Sequence, residues 1–276
     1  MGDRRAVIVT GASRGLGAAT ARWLGKVGGA VSLVARSSAE LDQVAADVNR
    51  AGGQAIITVA DVADPAACAL AVERTLNVFG RIDALVNNAG TVEPLGNAAE
   101  VDPIHWKRCI EVNLLGPVYM SRAALSELRV RTGRIVNVSS GAAATPIQGA
   151  SAYCASKAAL NHFTRVLAME EPSIVAVAVR PGVVDTAMQA VLREKGPGAL
   201  PPEQAAYYRG LKEGGKLEPP RVPARSVAWL ALHAPLSLSG AFVSYDDPHI
   251  QRPARKVFGD TLEMAGRGSR PARGDE

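Results

Sequence analysis

The chain is short of the residues that mark several function classes. Of its 276 residues only 4% are aromatic and 3 are cysteine. Cys68, Cys109 and Cys154 fall at no metal-ligand or disulfide spacing, which suits a reducing compartment and leaves no metal expected. No apolar stretch approaches the roughly 18 residues a membrane-crossing helix needs. The first apolar run begins at Ala6, without the apolar core and cleavage site of a secretory leader. Met1-Gly2 is followed by Ala6 where an acylation signal requires Ser or Thr. The formal net charge is +5, yet the basic residues are spread along the chain and no basic cluster interleaves with aromatics. That weighs against a nucleic-acid binder. No repeat of solenoid period is present. These absences leave a cytoplasmic protein with neither membrane nor nucleic acid as its partner.

What is abundant is Ala, Val and Gly within a 47% hydrophobic composition, as helices packed closely on a parallel sheet require. Ala6-Val7-Ile8-Val9-Thr10 reads as a buried parallel strand. Gly11-Ala12-Ser13-Arg14-Gly15-Leu16-Gly17 then opens an apolar helix running to about Val27. Glycines allow a tight turn and close backbone approach, and the helix N-terminus behind them is a ready anion site. The spacing is G-x-x-x-G-x-G, not the commoner dinucleotide fingerprint. A second strand, 30–35, ends at Ala35-Arg36, where a ribose-binding carboxylate would otherwise stand. Arg36 and Arg14 are instead two guanidiniums able to clamp a 2′-phosphate, which points to NADP(H) over NAD(H).

A third strand, 55–60, leads to Asp61-Val62, placed to reach an adenine amino group. Asp64 caps a helix with Pro65 at its first position. A fourth strand, 82–86, ends in Asn87-Asn88-Ala89-Gly90, whose adjacent amides suit tying one strand end to its neighbour. A long helix is expected from about 102 to 128. Asn113 and Gly116 within it call for a kink, a water or an inward hydrogen bond. The run 134–138 is a fifth strand delivering Ser139-Ser140 to a carboxyl end, where α/β sheets bind ligands. Tyr153 and Lys157 lie one helical turn apart on one face. An ammonium so placed is expected to lower the Tyr pKa from about 10 and make a usable acid–base group. A sixth strand, 174–179, leads into Arg180-Pro181-Gly182-Val183-Val184-Asp185-Thr186. Residues 187–222, broken by Gly196-Pro197-Gly198, Pro201-Pro202 and Pro219-Pro220, read as a substrate flap. A helix over 223–233 and a last strand over 240–243 complete the domain. Residues 251–276, rich in Arg, Gly and Pro, read as a disordered basic tail after one domain spanning 1–250.

Six segments, in order, resemble the short-chain dehydrogenase/reductase family. They are Thr10-Gly11-Ala12-Ser13-Arg14-Gly15-Leu16-Gly17, Asn87-Asn88-Ala89-Gly90, Asn113, Ser140, Tyr153-x-x-x-Lys157 and Pro181-Gly182-x-x-x-Thr186. The resemblance implies an α/β fold: a single Rossmann domain with a doubly wound, seven-stranded parallel sheet. It implies a catalytic set of Asn113, Ser140, Tyr153 and Lys157. Tyr153 would be the general acid in carbonyl reduction, Lys157 would hold the nicotinamide ribose, and Ser140 would hydrogen-bond the substrate carbonyl. Asn113 would support a water in the proton relay. Cofactor contacts would come from Gly11, Ser13, Arg14, Gly15, Leu16, Gly17, Arg36, Asp61, Val62, Asn88, Ala89, Gly90, Tyr153, Lys157, Pro181, Gly182, Val184 and Thr186. Family members commonly pair through the helices carrying Asn113 and Tyr153, so a homodimer or homotetramer is expected.

Further stretches, among them 156–163, Glu170-Glu171-Pro172, Thr186-x-Met188-Gln189 and 239–246, are similar to the sepiapterin reductase/benzil reductase branch. Ser244 departs from it, standing where sepiapterin reductases look to carry a pterin-anchoring acid. The implied activity is NADPH-dependent reduction of a small-molecule α-diketone such as benzil. The alternatives are pterin side-chain reduction and a non-catalytic NADP(H)-sensing module.

Overall fold

Each strand core is a run of small and β-branched residues, and in β1 (Ala6–Thr10) and β2 (Ala30–Ala35) every residue is buried. In the computed structural model, which describes residues 4–262, five further strands follow: β3 (Gln54–Val59), β4 (Ala84–Asn87), β5 (Arg134–Val138), β6 (Val175–Arg180) and β7 (Phe242–Ser244). They form one seven-stranded sheet in the order β3-β2-β1-β4-β5-β6-β7, parallel throughout. The order reverses between β1 and β4, whose carboxyl ends therefore open a crevice.

Side chains alternate between two apolar layers, as the period of a strand demands. Val7 and Val9 face one layer with α1 (Gly15–Lys26) and α9 (Arg221–His233), where Trp23, Leu24 and Val227 are buried. Ile8, between them, faces the other layer with α3 (Pro65–Phe79), α5 (Gly116–Val130) and α6 (Ser151–Glu170), against Val72, Met120 and Leu167. The same alternation recurs in β4 and β5, where Val86 and Val136 take the first layer and Leu85 and Ile135 the second. Burying each such aliphatic side chain contributes about 1.5–3 kcal/mol, so both faces of the sheet are tightly specified. The fold is thus the doubly wound Rossmann sheet. Among the described residues no helix is long and apolar enough to cross a membrane.

Two expectations need correction. The helix across 102–128 is not continuous. It starts as α4 (Pro103–Ile110), widens into a π-turn over Glu111–Leu115 and continues as α5. The extra backbone slack sits around Asn113, which is fully buried. The second correction concerns the tail. Pro248–Phe258 is a helix, α10, capped by Asp247 accepting from the His249 N–H, and it packs on α9. Its exposed face carries Arg252, Arg255 and Lys256, while Ile250, Ala254 and Phe258 are buried against the first layer. Averaging over composition hid this amphipathic spacing. Residues 263–276 of the expected tail lie outside the described residues.

Candidate active site

The crevice between β1 and β4 is closed at its base by side chains that lock the two strand ends together. Thr10 Oγ1 accepts from the N–H groups of Asn88 (3.0 Å) and Ala89 (3.1 Å), and Asn88 Nδ2 donates to the Thr10 carbonyl at 2.8 Å. Asn87 turns to β5 instead, donating to Asn137 Oδ1 at 2.9 Å, and Asn137 donates to Thr164 Oγ1 on α6. The adjacent amides therefore tie β4 to both neighbours.

Over this base lies the glycine turn. Gly11 has φ +62°, and a Cβ there would lie 2.8 Å from Ala89 Cα. A Cβ on Gly17 would lie 2.4 Å from the Gly11 carbonyl oxygen, so only glycine lets the helix start this close to the strand end. The first turn of α1 has no side-chain cap and no acidic residue, so its amide groups remain free for an anion. Arg14, at the N-cap, and Arg36, after β2, are both exposed and in no ion pair among the described residues. Asp61 at the end of β3 pairs with Arg108 of α4, a partner that the sequence did not suggest. Burial opposes its ionisation, but the Ala63 N–H and Arg108 outweigh that, with Arg36 adding to them, and hold its carboxyl below the usual value. Thr186 reaches across from the segment after β6; a Cβ on Gly15 would come within 3.1 Å of its Cγ2. Its hydroxyl donates to the Val184 carbonyl at 3.3 Å. A glycine cradle, open helix amides and two unpaired guanidiniums fit a nicotinamide dinucleotide.

On the other side of the crevice the structure brings Ser140, Tyr153 and Lys157 together. Ser140 caps a short turn over Gly141–Ala143, its Oγ accepting from the Ala142 N–H at 3.1 Å, and it is hydrogen-bonded to the Tyr153 hydroxyl. Lys157 is buried. Its Nζ donates to the Val138 carbonyl at 2.8 Å and lies 5.8 Å from the centre of the Tyr153 ring. An ammonium has three donors, so Lys157 keeps others for a ligand. The expected lowering of the Tyr153 pKa is not found. Burial pushes the phenol up to about 12, with the Ser140 bond acting weakly against it. Burial also brings Lys157 down to about 8. Desolvation is the largest cause of both shifts, and both groups carry their protons at neutral pH.

Asn113 is part of this constellation as a brace. Its Oδ1 accepts from the Thr91 N–H at 2.8 Å, and its Nδ2 donates to the Thr91 carbonyl (2.8 Å) and Ser156 Oγ (3.0 Å). Gly90 fits between Asn113 and Lys157; a Cβ there would lie 3.2 Å from Asn113 Oδ1 and 3.7 Å from Lys157 Nζ. The π-turn thereby sets the height of the loop after β4 beside Lys157.

The segment 187–222 folds as α7 (Ala187–Lys195) and α8 (Pro202–Glu213), followed by a strand-like return pairing Val184 with Glu218. Lys195 bonds Glu93 at 2.5 Å and Lys212 bonds Asp185 at 2.7 Å, pinning both helices to the body. Beneath them Tyr153 shares an apolar cluster with Val92, Cys109, Leu192, Leu200 and Tyr208, flanked by Trp106 and Met188. The reading of 187–222 as a substrate flap takes in Met188, Leu192, Leu200 and Tyr208, but no motif singles out these residues or Val92, Trp106 and Cys109, because they are scattered over three segments and obey no spacing. Ser244 ends β7, and its hydroxyl donates to Asp246.

Comparison with known proteins gives consistent results. Residues 5–197 match the family model described as short chain dehydrogenase. The chain is 39% identical over 248 residues to the uncharacterized oxidoreductase YIR035C of Saccharomyces cerevisiae, covering 88% of this chain and 96% of that one. The crystal structure of YIR035C superposes with a TM-score of 0.85 at 38% identity, over 90% of this chain and 98% of the other. The chain is also 34% identical over 258 residues to the (S)-benzoin-forming benzil reductase IRC24 of the same yeast, covering 89% and 97% of the two chains.

Proposed function

The chain belongs to the short-chain dehydrogenases, and from that premise we propose that it is an NADPH-dependent carbonyl reductase acting on α-diketones such as benzil. The observation that carries this reading is a buried, protonated Tyr153 hydrogen-bonded to Ser140 beside Lys157, at the edge of an apolar cluster.

The glycine turn and the first amides of α1 would hold the cofactor's diphosphate, Arg14 and Arg36 its 2′-phosphate, and Lys157 its nicotinamide ribose. When bound, the reduced nicotinamide supplies the hydride. The remaining chemistry belongs to the chain. Ser140 donates a hydrogen bond to the carbonyl oxygen and stabilises the charge that grows there. Tyr153 gives that oxygen its proton, and a phenol with a pKa near 12 is fully protonated and ready to do so. Lys157, cationic at neutral pH, favours the phenolate that is left behind. The hydrophobic residues around Tyr153 suit apolar flanking groups, and Ser244 offers no carboxylate to pair with a pterin, which favours apolar diketones over the sepiapterin-like alternative.

We further propose that the enzyme works in the cytoplasm and self-associates through α4, α5 and α6. Ile104, Val130, Val166 and Met169 are exposed on these helices, Met169 at 81%, which supports that reading.

The test is oxidation of NADPH, and separately NADH, with benzil and with sepiapterin. Benzil with NADPH should be the preferred pair, and Arg36→Asp should shift the kcat/KM ratio from NADPH toward NADH by at least 10-fold. Turnover of neither substrate refutes the reductase; an unmoved cofactor ratio refutes the phosphate clamp.

A further inference from the structure

A second group of cations lies across the sheet from the crevice. Arg5 precedes β1, Gly28 and Gly29 precede β2 and Arg134 opens β5, so in a parallel sheet all of them stand at its amino edge. The Arg5 guanidinium donates to the Leu232 carbonyl, and Arg134 Nε donates to that of Ala234 at 3.0 Å. The two are thus held on either side of His233, the last residue of α9. Arg4, Arg5 and His233 line a cavity of about 450 Å³, together with Val27, Leu232 and Val257. Gly28 also lines it, and a Cβ on that residue would meet nothing within 4 Å. Arg4, Arg5 and Arg134 form no ion pair among the described residues. Asp83, the carboxylate whose charge acts on Arg134, is already engaged: it pairs with Arg81 at 2.7 Å and accepts from the Ala6 N–H at 2.7 Å. Binding the last carbonyls of α9 uses only part of each guanidinium, which has five N–H donors. Burial, and then the charges of Arg5 and Arg134, hold His233 below its usual pKa. Like charges gathered without a counter-ion repel one another until an anion joins them.

We propose that this cavity is a second ligand site, which takes a small phosphate monoester carried on an apolar body. Arg4 and Arg5 bind the phosphate through their free N–H groups, for which the planar guanidinium fork is well shaped. Arg134 does not line the cavity and adds its charge from the neighbouring Ala234 carbonyl. Val27 and Val257, each 41% exposed, are the apolar surface that the body of the ligand covers. A volume of about 450 Å³ falls within the range of small-molecule sites, about 300–1,000 Å³. The site lies at the edge of the sheet away from Ser140 and Tyr153, so it is independent of the carbonyl-reductase reading.

The test is isothermal titration calorimetry of the full chain with 1-naphthyl phosphate and, for comparison, 1-naphthol, with NADP+ present in excess to occupy the crevice. The phosphate should bind at least 10-fold tighter than the alcohol, since a charge-assisted hydrogen bond alone is worth about that factor. Arg5→Gln should remove that preference, and Arg4→Gln should weaken phosphate binding in the same direction. Both residues are exposed, so both variants should fold, as thermal unfolding would verify. Arg134→Gln should weaken phosphate binding by a smaller factor, because it acts through charge alone. Arg74→Gln removes an equal charge from an exposed position on α3 and should change nothing. Absence of phosphate binding by the wild type overturns the proposal, as does equal affinity for the two naphthyl compounds. Phosphate affinity unmoved in Arg5→Gln, or lowered as much by Arg74→Gln, places the ligand elsewhere and overturns it too.

Discussion

Phe258→Ala tests whether the C-terminal helix is part of the core. Phe258 is 2% exposed, and its ring meets Trp23 of α1 edge-on at 5.8 Å between centroids. Lys26 and Arg225, each lying against the Trp23 ring, donate to the carbonyls of Phe258 and Gly259, both at distances below 3 Å. The surroundings are thus tied down and cannot collapse into the space a truncation leaves. Removing a phenylalanine from such a site costs about 3–5 kcal/mol, of which the aromatic pair accounts for about 0.5–1.5 kcal/mol. At about 2–4 °C per kcal/mol for chains of about 150–250 residues, Tm should fall by about 6–20 °C. The assay is thermal unfolding of the purified variant beside wild type, with activity read at room temperature. Activity there should persist, since Phe258 lies outside the cluster that holds Tyr153. A chain ending at Asp247 also loses Ile250 and Ala254 and should unfold at a lower temperature still. A Tm within 2 °C of wild type for Phe258→Ala would falsify the docking of α10 as described.

Two further outcomes follow from the site. Tyr153→Phe removes the proton donor and should lower kcat by about 10²–10⁴-fold in NADPH oxidation. NADPH should still bind, as fluorescence titration would show, and turnover within a few-fold of wild type would refute the assignment. Lys157→Met tests the desolvation of the ammonium. With the native pKa brought down from 10.5 to about 8, the unfolded chain holds more protons between those values, so this group's contribution to stability rises with pH across that window. At about 1.4 kcal/mol per pH unit, the penalty below pH 8 is about 3 kcal/mol. Denaturant unfolding at pH 7 and pH 10 should therefore favour Lys157→Met most at pH 7, and a difference independent of pH would contradict this account.

The fold was legible because its signals are local. The runs around Val7, Val31 and Val177 are apolar on both faces, which only a sheet covered on both sides explains, and the glycines between Gly11 and Gly17 mark where a helix must start against a strand end. Tyr153 and Lys157 were legible for the same reason: one turn of helix fixes them to one face. What the sequence could not supply was the balance of long-range forces on those groups. The spacing of Tyr153 and Lys157 suggested a lowered phenol pKa, but burial by Leu192, Leu200 and Tyr208, distant in the chain, reverses the sign. The packing of Asn113 into a π-turn, the Asp61–Arg108 pair and the docking of Phe258 on Trp23 likewise depend on segments far apart in the sequence. Periodicity and motif order determined the architecture and named the reacting side chains. Which of them are dry, which are braced and what lines the pocket were decided by tertiary contacts, because desolvation and packing depend on neighbours in space that no local pattern encodes.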